Sequence, residues 1–240
     1  MKAVSTRDEV GVSLTLFALT MTSGAVDAVT FLGLGHAFAA LATGNLLLLG
    51  FGVARAPGIP VARPAVALVA FVCGASAAHV AVRRLRARGR RWFVIALAAE
   101  VAVLCAAGLY TVAVGGSGEL LTHGRGVAVG LLAFAMGWRT RTMVEAAIPE
   151  MPTTVVQISL VKALADALSY HSDPARTPVL ARVRRTATVF GMFVGGVVGA
   201  ALLLRFGPGP SVLALTAFEA CVVALYARSP RLRRPSGIEL

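Results

Sequence analysis

The sequence predicts an all-α integral membrane protein, and three observations carry that prediction. The chain is 57% hydrophobic with a mean hydropathy of +0.79, and only 14% of its 240 residues are charged. That balance lies well outside the range of soluble domains. Several apolar stretches reach the roughly 20 residues that a helix needs to cross the hydrocarbon core. The basic residues fall in blocks between those stretches, where flanking charges of membrane helices belong.

Taken in order, residues 10–29 hold one charge, Asp27, and 31–54 hold none. Residues 65–82 hold none with His79 neutral, and 92–114 hold only Glu100. Residues 126–147 are apolar as far as Trp138 and then carry Arg139, Arg141 and Glu145. Residues 186–204 hold none, and 209–227 hold only Glu219. The first stretch is too long for a cleaved leader, and nothing of soluble character follows it. The chain therefore reads as a single transmembrane domain over 1–240.

The net charge of +12 raises the question of nucleic acid. Its placement argues against that. Six arginines lie in "RRLRARGRR" (83–91), four more are Arg176, Arg182, Arg184 and Arg185, and Arg228, Arg231, Arg233 and Arg234 mark the tail. Each block flanks an apolar segment, so anionic lipid head groups are partner enough. Cys73, Cys105 and Cys221 are scattered without metal spacing and read as small buried hydrophobes. His36, His79, His123 and His171 form no ligand set, and neither a metal nor a cofactor is expected.

The arginine blocks also constrain topology. With 83–91 on the cytoplasmic side, stretches 92–114 and 126–147 go out and come back. The loop between them, "GGSGELLTHGR", is nearly neutral and suits the outside. The next block, 176–185, also belongs inside, so "MPTTVVQISLVKALADALSY" (151–170) should not make a full crossing. Its apolar run breaks at Lys162 and Asp166. Helices 186–206 and 211–228 complete the second half and leave the tail (229–240) inside. The same logic run backward allows one crossing for 10–30 and 36–54 together. The expectation is six full spans plus two partial ones, with both termini cytoplasmic. Eight spans would put arginine blocks outside, and seven would put the N-terminus there.

The order span, partial span, span, span then occurs twice, over roughly 10–114 and 125–228. Phe71-Val72-Cys73-Gly74 resembles Phe193-Val194-Gly195-Gly196, and "LAAEVAVLC" around Glu100 resembles "TAFEACVVA" around Glu219. Gly24-Ala25-Val26-Asp27 would match Gly137-Trp138-Arg139-Thr140, and Thr43-Gly44-Asn45 would match the region near Gln157-Ile158-Ser159. Three crossings per half make an inverted repeat, a pattern that points to a site near the bilayer midplane.

The break expected at Thr43-Gly44-Asn45 has a physical rationale. Irregular backbone at membrane depth is tolerated only when buried in protein or lining a wet cavity. Gly44 permits a turn, and Thr43 or Asn45 is placed to cap a helix starting at Leu46. The positive end of that helix would suit an anionic or strongly polar group. The plain alternative is an unbroken helix packed through small residues.

These residues carry a resemblance. "SGAVDAVTFLGLGHAFAALATGNLLLLG", with Gly24, Asp27, Phe31, Thr43-Gly44-Asn45 and Gly50, followed by "AFVCGA", "LAFAMGW" and "PTTVV", resembles the YoaK-like family of bacterial membrane proteins, a family of unknown function. The likeness covers nearly the whole chain. It implies a multi-span bacterial inner-membrane protein and brings no activity with it. The second half departs from the family pattern. Gly137-Trp138-Arg139-Thr140 stands where the resemblance implies Gly-x-Gln-Asn, and Gln157-Ile158 where it implies a second Thr-Gly. A ligand shared by the family would meet different side chains here.

Asp27, Glu100 and Glu219 lie within apolar helices. An intramembrane carboxylate costs about 2.5–3.5 kcal/mol on insertion scales, so each needs a partner, a wet cavity or a proton. Thr20, Ser23, Asp27 and Thr30 share one helical face, which should look inward. A carboxyl that gains and loses a proton is how a proton-coupled carrier would work; the bland reading is a buried structural group bonded to a neighbour. Arg139 and Arg141 lie toward the inner end of their helix, where arginine snorkels. The sharper reading has Arg139 facing inward, paired with Asp27 or a glutamate, or holding an anionic solute.

The functional expectation is a secondary transporter or permease for a small polar solute, an anionic one included. Its binding residues would be Asp27, Thr43, Gly44, Asn45, Arg139 and Gln157, and its proton-coupling residues Asp27, Glu100 and Glu219. No lysine-bearing phosphate loop is present, so an ion gradient would supply the drive. A channel is a near variant. A non-catalytic subunit or sensor acting through partners is the alternative. No cluster of catalytic residues points to an enzyme.

Overall fold

The computed structural model describes residues 6–59, 61–89, 91–115, 123–146, 161, 164 and 179–228. Among these, every regular element is helical. Helix α1 (Thr6–Val29) runs into a π-helical turn (Thr30–Gly35). Then come α2 (Ala42–Val53), α3 (Ala62–Ala87), α4 (Trp92–Gly115) and α5 (His123–Ala146). Helices α6 (Val179–Phe206) and α7 (Pro208–Arg228) close the described chain.

Five segments are long and apolar enough to cross a membrane: Ser13–Gly35, Ala62–Ala87, Trp92–Gly115, Thr186–Phe206 and Pro208–Arg228. Helix α5, at 24 residues, is as long as α4 but more charged. It packs chiefly between α3 and α4, where its charges find partners. The protein is thus an all-α membrane protein with six long helices among the described residues. Helix α2 has 12 residues, about 18 Å at 1.5 Å per residue, and is too short to span. The partial segment expected over 151–170, with Gln157, lies outside the described residues apart from the helical positions 161 and 164.

The outer faces are apolar. On α3, Val66, Val69 and Val72 are exposed, as are Phe190, Phe193 and Val197 on α6. Only 22% of the apolar windows of α3 and α6 is buried inside the bundle. Lipid tails are the natural solvent for such faces. The cysteines depart from expectation for this reason. Cys73 and Cys221 are exposed on the bundle exterior and Cys105 is half-buried. An apolar exterior accepts a thiol as readily as a core does.

Three helix pairs build the bundle: α1 with α6, α3 with α5, and α4 with α7. The first two are closed by glycines in matching places. A methyl group at Gly74 on α3 would collide with the carbonyl of Phe134, and one at Gly137 on α5 with that of Phe71. Likewise, a methyl at Gly195 on α6 would strike the carbonyl of Met21, and one at Gly24 on α1 that of Met192. The α3–α5 crossing is therefore repeated in the α1–α6 crossing. Gly24 corresponds to Gly137, as the sequence comparison expects. Gly74 corresponds to Gly195, one residue away from the Gly196 expected from Phe-Val-x-Gly. What repeats is the small residue under the crossing carbonyl, and the first glycine of the pair occupies that place.

Helix direction follows from the contacts. Gly191 lies near Phe17 and Gly199 near Ala25, so α1 and α6 run parallel. Helices α4 and α7 run antiparallel: Phe93 meets Tyr226 at 5.5 Å between ring centroids, and Gly209 meets Val112. Equivalent helices lying antiparallel is what an inverted repeat produces. The end of α3, the start of α4, the first turns of α6 with Arg182, Arg184 and Arg185, and the end of α7 with Arg228 then share one end of the bundle. The arginine blocks in the described residues converge, as the topology argument requires.

A buried charged centre and a pinned helix break

The first half is broken where α1 gives way to α2. The π-helical turn ends at Gly35, with φ of 110°, and His36, with φ of 53°. The guanidinium of Arg63 fills the space beside Gly35, so glycine meets both a steric and a conformational need there. Two side chains pin the following loop from opposite sides. Asn45 on α2 accepts from the Phe38 N–H at 2.8 Å and donates to the Phe38 carbonyl at 2.7 Å. Asp27 on α1 accepts from the Ala40 N–H at 2.7 Å. Phe38 also stacks on Phe31, with ring centroids 4.7 Å apart. A backbone that leaves helical geometry inside the bundle thus has its polar groups met by side chains.

This geometry corrects the expectation for Thr43-Gly44-Asn45. Helix α2 begins at Ala42, so the three residues lie in its first turn rather than before it. Neither Thr43 nor Asn45 caps α2: its cap position, Leu41, has no side-chain cap. Thr43 is exposed, and Gly44 lies against the side chains of Phe38 and Leu41. Asn45 is buried, with both ends of its amide spent on Phe38. At the α2 N-terminus the negative group is Asp27 of the chain itself. A carboxyl in that place is one that the positive end of a helix favours.

Thr20, Ser23, Asp27 and Thr30 are all buried, so the expected polar face of α1 does look inward. One turn before Asp27 this face meets Arg139. The Arg139 guanidinium is 0% exposed and ties four helices together. From α5, its Nε donates to Glu100 Oε1 on α4 and its Nη2 to Glu219 Oε2 on α7. Its Nη1 donates to the Leu19 carbonyl at 2.8 Å, the Thr22 hydroxyl at 2.8 Å and the Ser23 hydroxyl at 3.0 Å on α1. Arginine suits this place because its planar fork presents donors in several directions at once. Trp138 secures the same stretch of α5 by donating from Nε1 to the Ala96 carbonyl at 2.9 Å.

Arg139 therefore does not snorkel. It pairs with Glu100 and Glu219, and it touches Ser23 rather than Asp27. Arg141, two residues on, points the other way. It donates to Glu145 at 2.5 Å and lies 2.8 Å from His79 Nδ1, while Arg86 on α3 also donates to Glu145. This second cluster is partly exposed and lies at the arginine-rich end.

The structure brings Arg139, Glu100 and Glu219 into one centre and holds Asp27 and Asn45 in another, one turn along α1. It sets Thr43 apart from both. The α1 ligands of Arg139 are the part that sequence reasoning missed. Thr22 and the Leu19 carbonyl carry no chemical signature in sequence, although Ser23 stood on the polar face already singled out. Among the described residues, no three His, Cys, Asp or Glu side chains stand together as a metal site.

A region of 59 residues is 41% identical to the UPF0700 transmembrane protein YoaK of Bacillus subtilis (strain 168). That match spans 25% of this chain and 26% of the Bacillus protein. No solved structure matches. The model of the family described as "Protein of unknown function (DUF1275)" matches residues 15–226, nearly the whole helical bundle. The chain is a multi-pass membrane protein of the DUF1275 family.

Proposed function

We propose that the protein is a small secondary transporter that moves a polar solute across the bacterial inner membrane, driven by a proton gradient. One observation carries this reading. Two matched halves meet in antiparallel fashion on a fully buried charged centre, Arg139 with Glu100 and Glu219. Inverted halves place transporter sites at their interface, and intramembrane charges mark ion and substrate pathways. The break between α1 and α2 is pinned by Asp27, one turn along α1 from that centre, and supplies a discontinuous helix of the kind such sites use.

The arrangement favours a neutral or cationic solute over an anionic one. Each nitrogen of the Arg139 guanidinium is already bonded within the bundle, and carboxyls outnumber it. The N-terminus of α2, the other attractive place for an anion, is held by Asp27. On this reading the arginine-rich end faces the cytoplasm among anionic head groups, and both termini lie on that side. The reading assigns no catalytic chemistry to the chain.

Purified protein in liposomes, with an imposed pH gradient and a panel of polar metabolites, tests the proposal. The expected result is uptake of at least one compound that a protonophore abolishes and that Asp27→Asn slows. Absence of flux for every compound overturns it. A second reading, a non-catalytic subunit or sensor, draws on the same enclosure: a core this closed also suits a rigid scaffold. Stoichiometric co-purification of one defined membrane partner, without flux, would favour it.

A further inference from the structure

We propose that Glu100 and Glu219 hold a single proton between them, and that this shared proton is the ion-binding site of the bundle. The charge count leads there. Two carboxyls face one guanidinium, and the three side chains are 0–1% exposed. With both carboxylates ionised, the centre carries one uncompensated negative charge shut away from bulk solvent, a state that buried ion groups do not sustain.

Hydrogen bonding leads to the same place. Each glutamate spends one oxygen on Arg139, and the other oxygens, Glu100 Oε2 and Glu219 Oε1, have no donor among the described residues. The hydroxyls of Thr22 and Ser23 cannot supply one, because both donate to the Leu19 carbonyl, at 2.9 and 3.1 Å. Nε and Nη2 lie on one edge of the guanidinium, so the two carboxyls bonded to them stand side by side. Two carboxylates so placed repel; with one proton between them they bond. A metal cation fits less well, since two free oxygens fall short of the six or more that hard cations gather.

Arg139 of α5 bonds the pair directly; the Leu19 carbonyl and the Thr22 and Ser23 hydroxyls of α1 bond to Arg139, and Asp27, the next carboxyl along α1, accepts from the Ala40 N–H. Loading adds one proton from water to form one O–H bond, and release returns it. Glu100 and Glu219 occupy equivalent places in the two halves, so the proton lies where the halves meet and is bonded to both.

This inference deepens the transport reading by naming the coupling site, but its test does not depend on flux. Infrared difference spectra of the full-length protein in lipid nanodiscs would be compared for wild type, Glu100→Gln, Glu219→Gln and Asp27→Asn. Wild type should show the carbonyl stretch of a protonated carboxyl, shifted on exchange into heavy water. Either glutamine variant leaves one carboxylate balanced by Arg139, with no reason to hold a proton. The band should disappear in both single variants and persist in Asp27→Asn. Because each glutamine variant is charge-balanced, both should unfold no lower in temperature than wild type, which separates a lost proton from a lost fold. A band that survives in either glutamine variant, or vanishes in Asp27→Asn, overturns the proposal. So does a sodium-dependent rise in unfolding temperature that the glutamine variants lack. If the spectra behave as expected and no solute moves, the transport reading fails while the shared proton stands.

Discussion

Two clusters of arginine and glutamate, a few residues apart on the same helix, show how burial decides what an ion pair does. At the arginine-rich end of α5, Arg141 and Arg86 share Glu145 with side chains 18–30% exposed. Two residues earlier, Arg139 holds Glu100 and Glu219 with essentially no exposure. The rim cluster is open to water and head groups, which screen it and replace any lost partner. The inner one has no such replacement. Each of its members is tolerated in the core only because the others are there. The first cluster trims the end of a helix pair; the second fixes how α1, α4, α5 and α7 sit together.

The largest expected effect comes from breaking the inner cluster. Arg139→Leu strands two carboxyls in the core and should destabilise the bundle by about 3–5 kcal/mol, read as thermal unfolding in mild detergent. Arg139→Lys keeps the charge but not the fork that reaches α1, α4 and α7 together, and should recover only part of that loss. If Arg139→Leu unfolds like wild type, the two clusters do not differ and the contrast collapses.

The glycine crossings sharpen the comparison by testing whether the halves are equivalent. Gly137→Ala and Gly24→Ala each push a methyl into a carbonyl of the crossing helix, and overpacking of this kind costs about 1–3 kcal/mol. The two should be similar, because the crossings repeat. A large cost on one side alone would show that only one crossing is tight.

The pinned break should respond locally. Asn45→Ala leaves the N–H and carbonyl of Phe38 without partners, which costs about 1–3 kcal/mol for a buried group. Faster backbone hydrogen exchange over residues 36–41, with the rest of the bundle unchanged, is the expected readout. The smallest effect belongs to the rim. Glu145→Gln should change stability by about 0–1 kcal/mol, and by less in high salt. A rim loss equal to the Arg139 loss would contradict the role given to burial.

Most of the fold was legible because its signals are coarse. Apolar runs bounded by arginine blocks mark the long helices whatever their rotation. The first turns of α6 were hidden, since Arg182, Arg184 and Arg185 mask the helix that carries them. A break near Thr43-Gly44-Asn45 was legible from the cost of polar groups at membrane depth, but its mechanism was not. A sequence does not say whether Asn45 points forward as a cap or back to Phe38. Arg139 shows the same limit. Its distance from the helix end allowed snorkelling, and its rotation, set by the glycine crossing at Gly137, forbids it. The repeat did carry the useful clue, since two glutamates in equivalent places must approach wherever equivalent helices cross.

The glycine register sets Val26 opposite Arg139 in the two halves. The backbone is duplicated, but the charge is not. A structure made of interchangeable halves has two extremes of equal energy related by its two-fold axis, and one guanidinium anchored in a single half removes that equality. Leu19, Thr22 and Ser23 hold it to α1, and nothing at Val26 can return the favour to α5. Any rocking motion of this bundle is therefore weighted toward one extreme, a rest position written into the chain by a single unrepeated side chain.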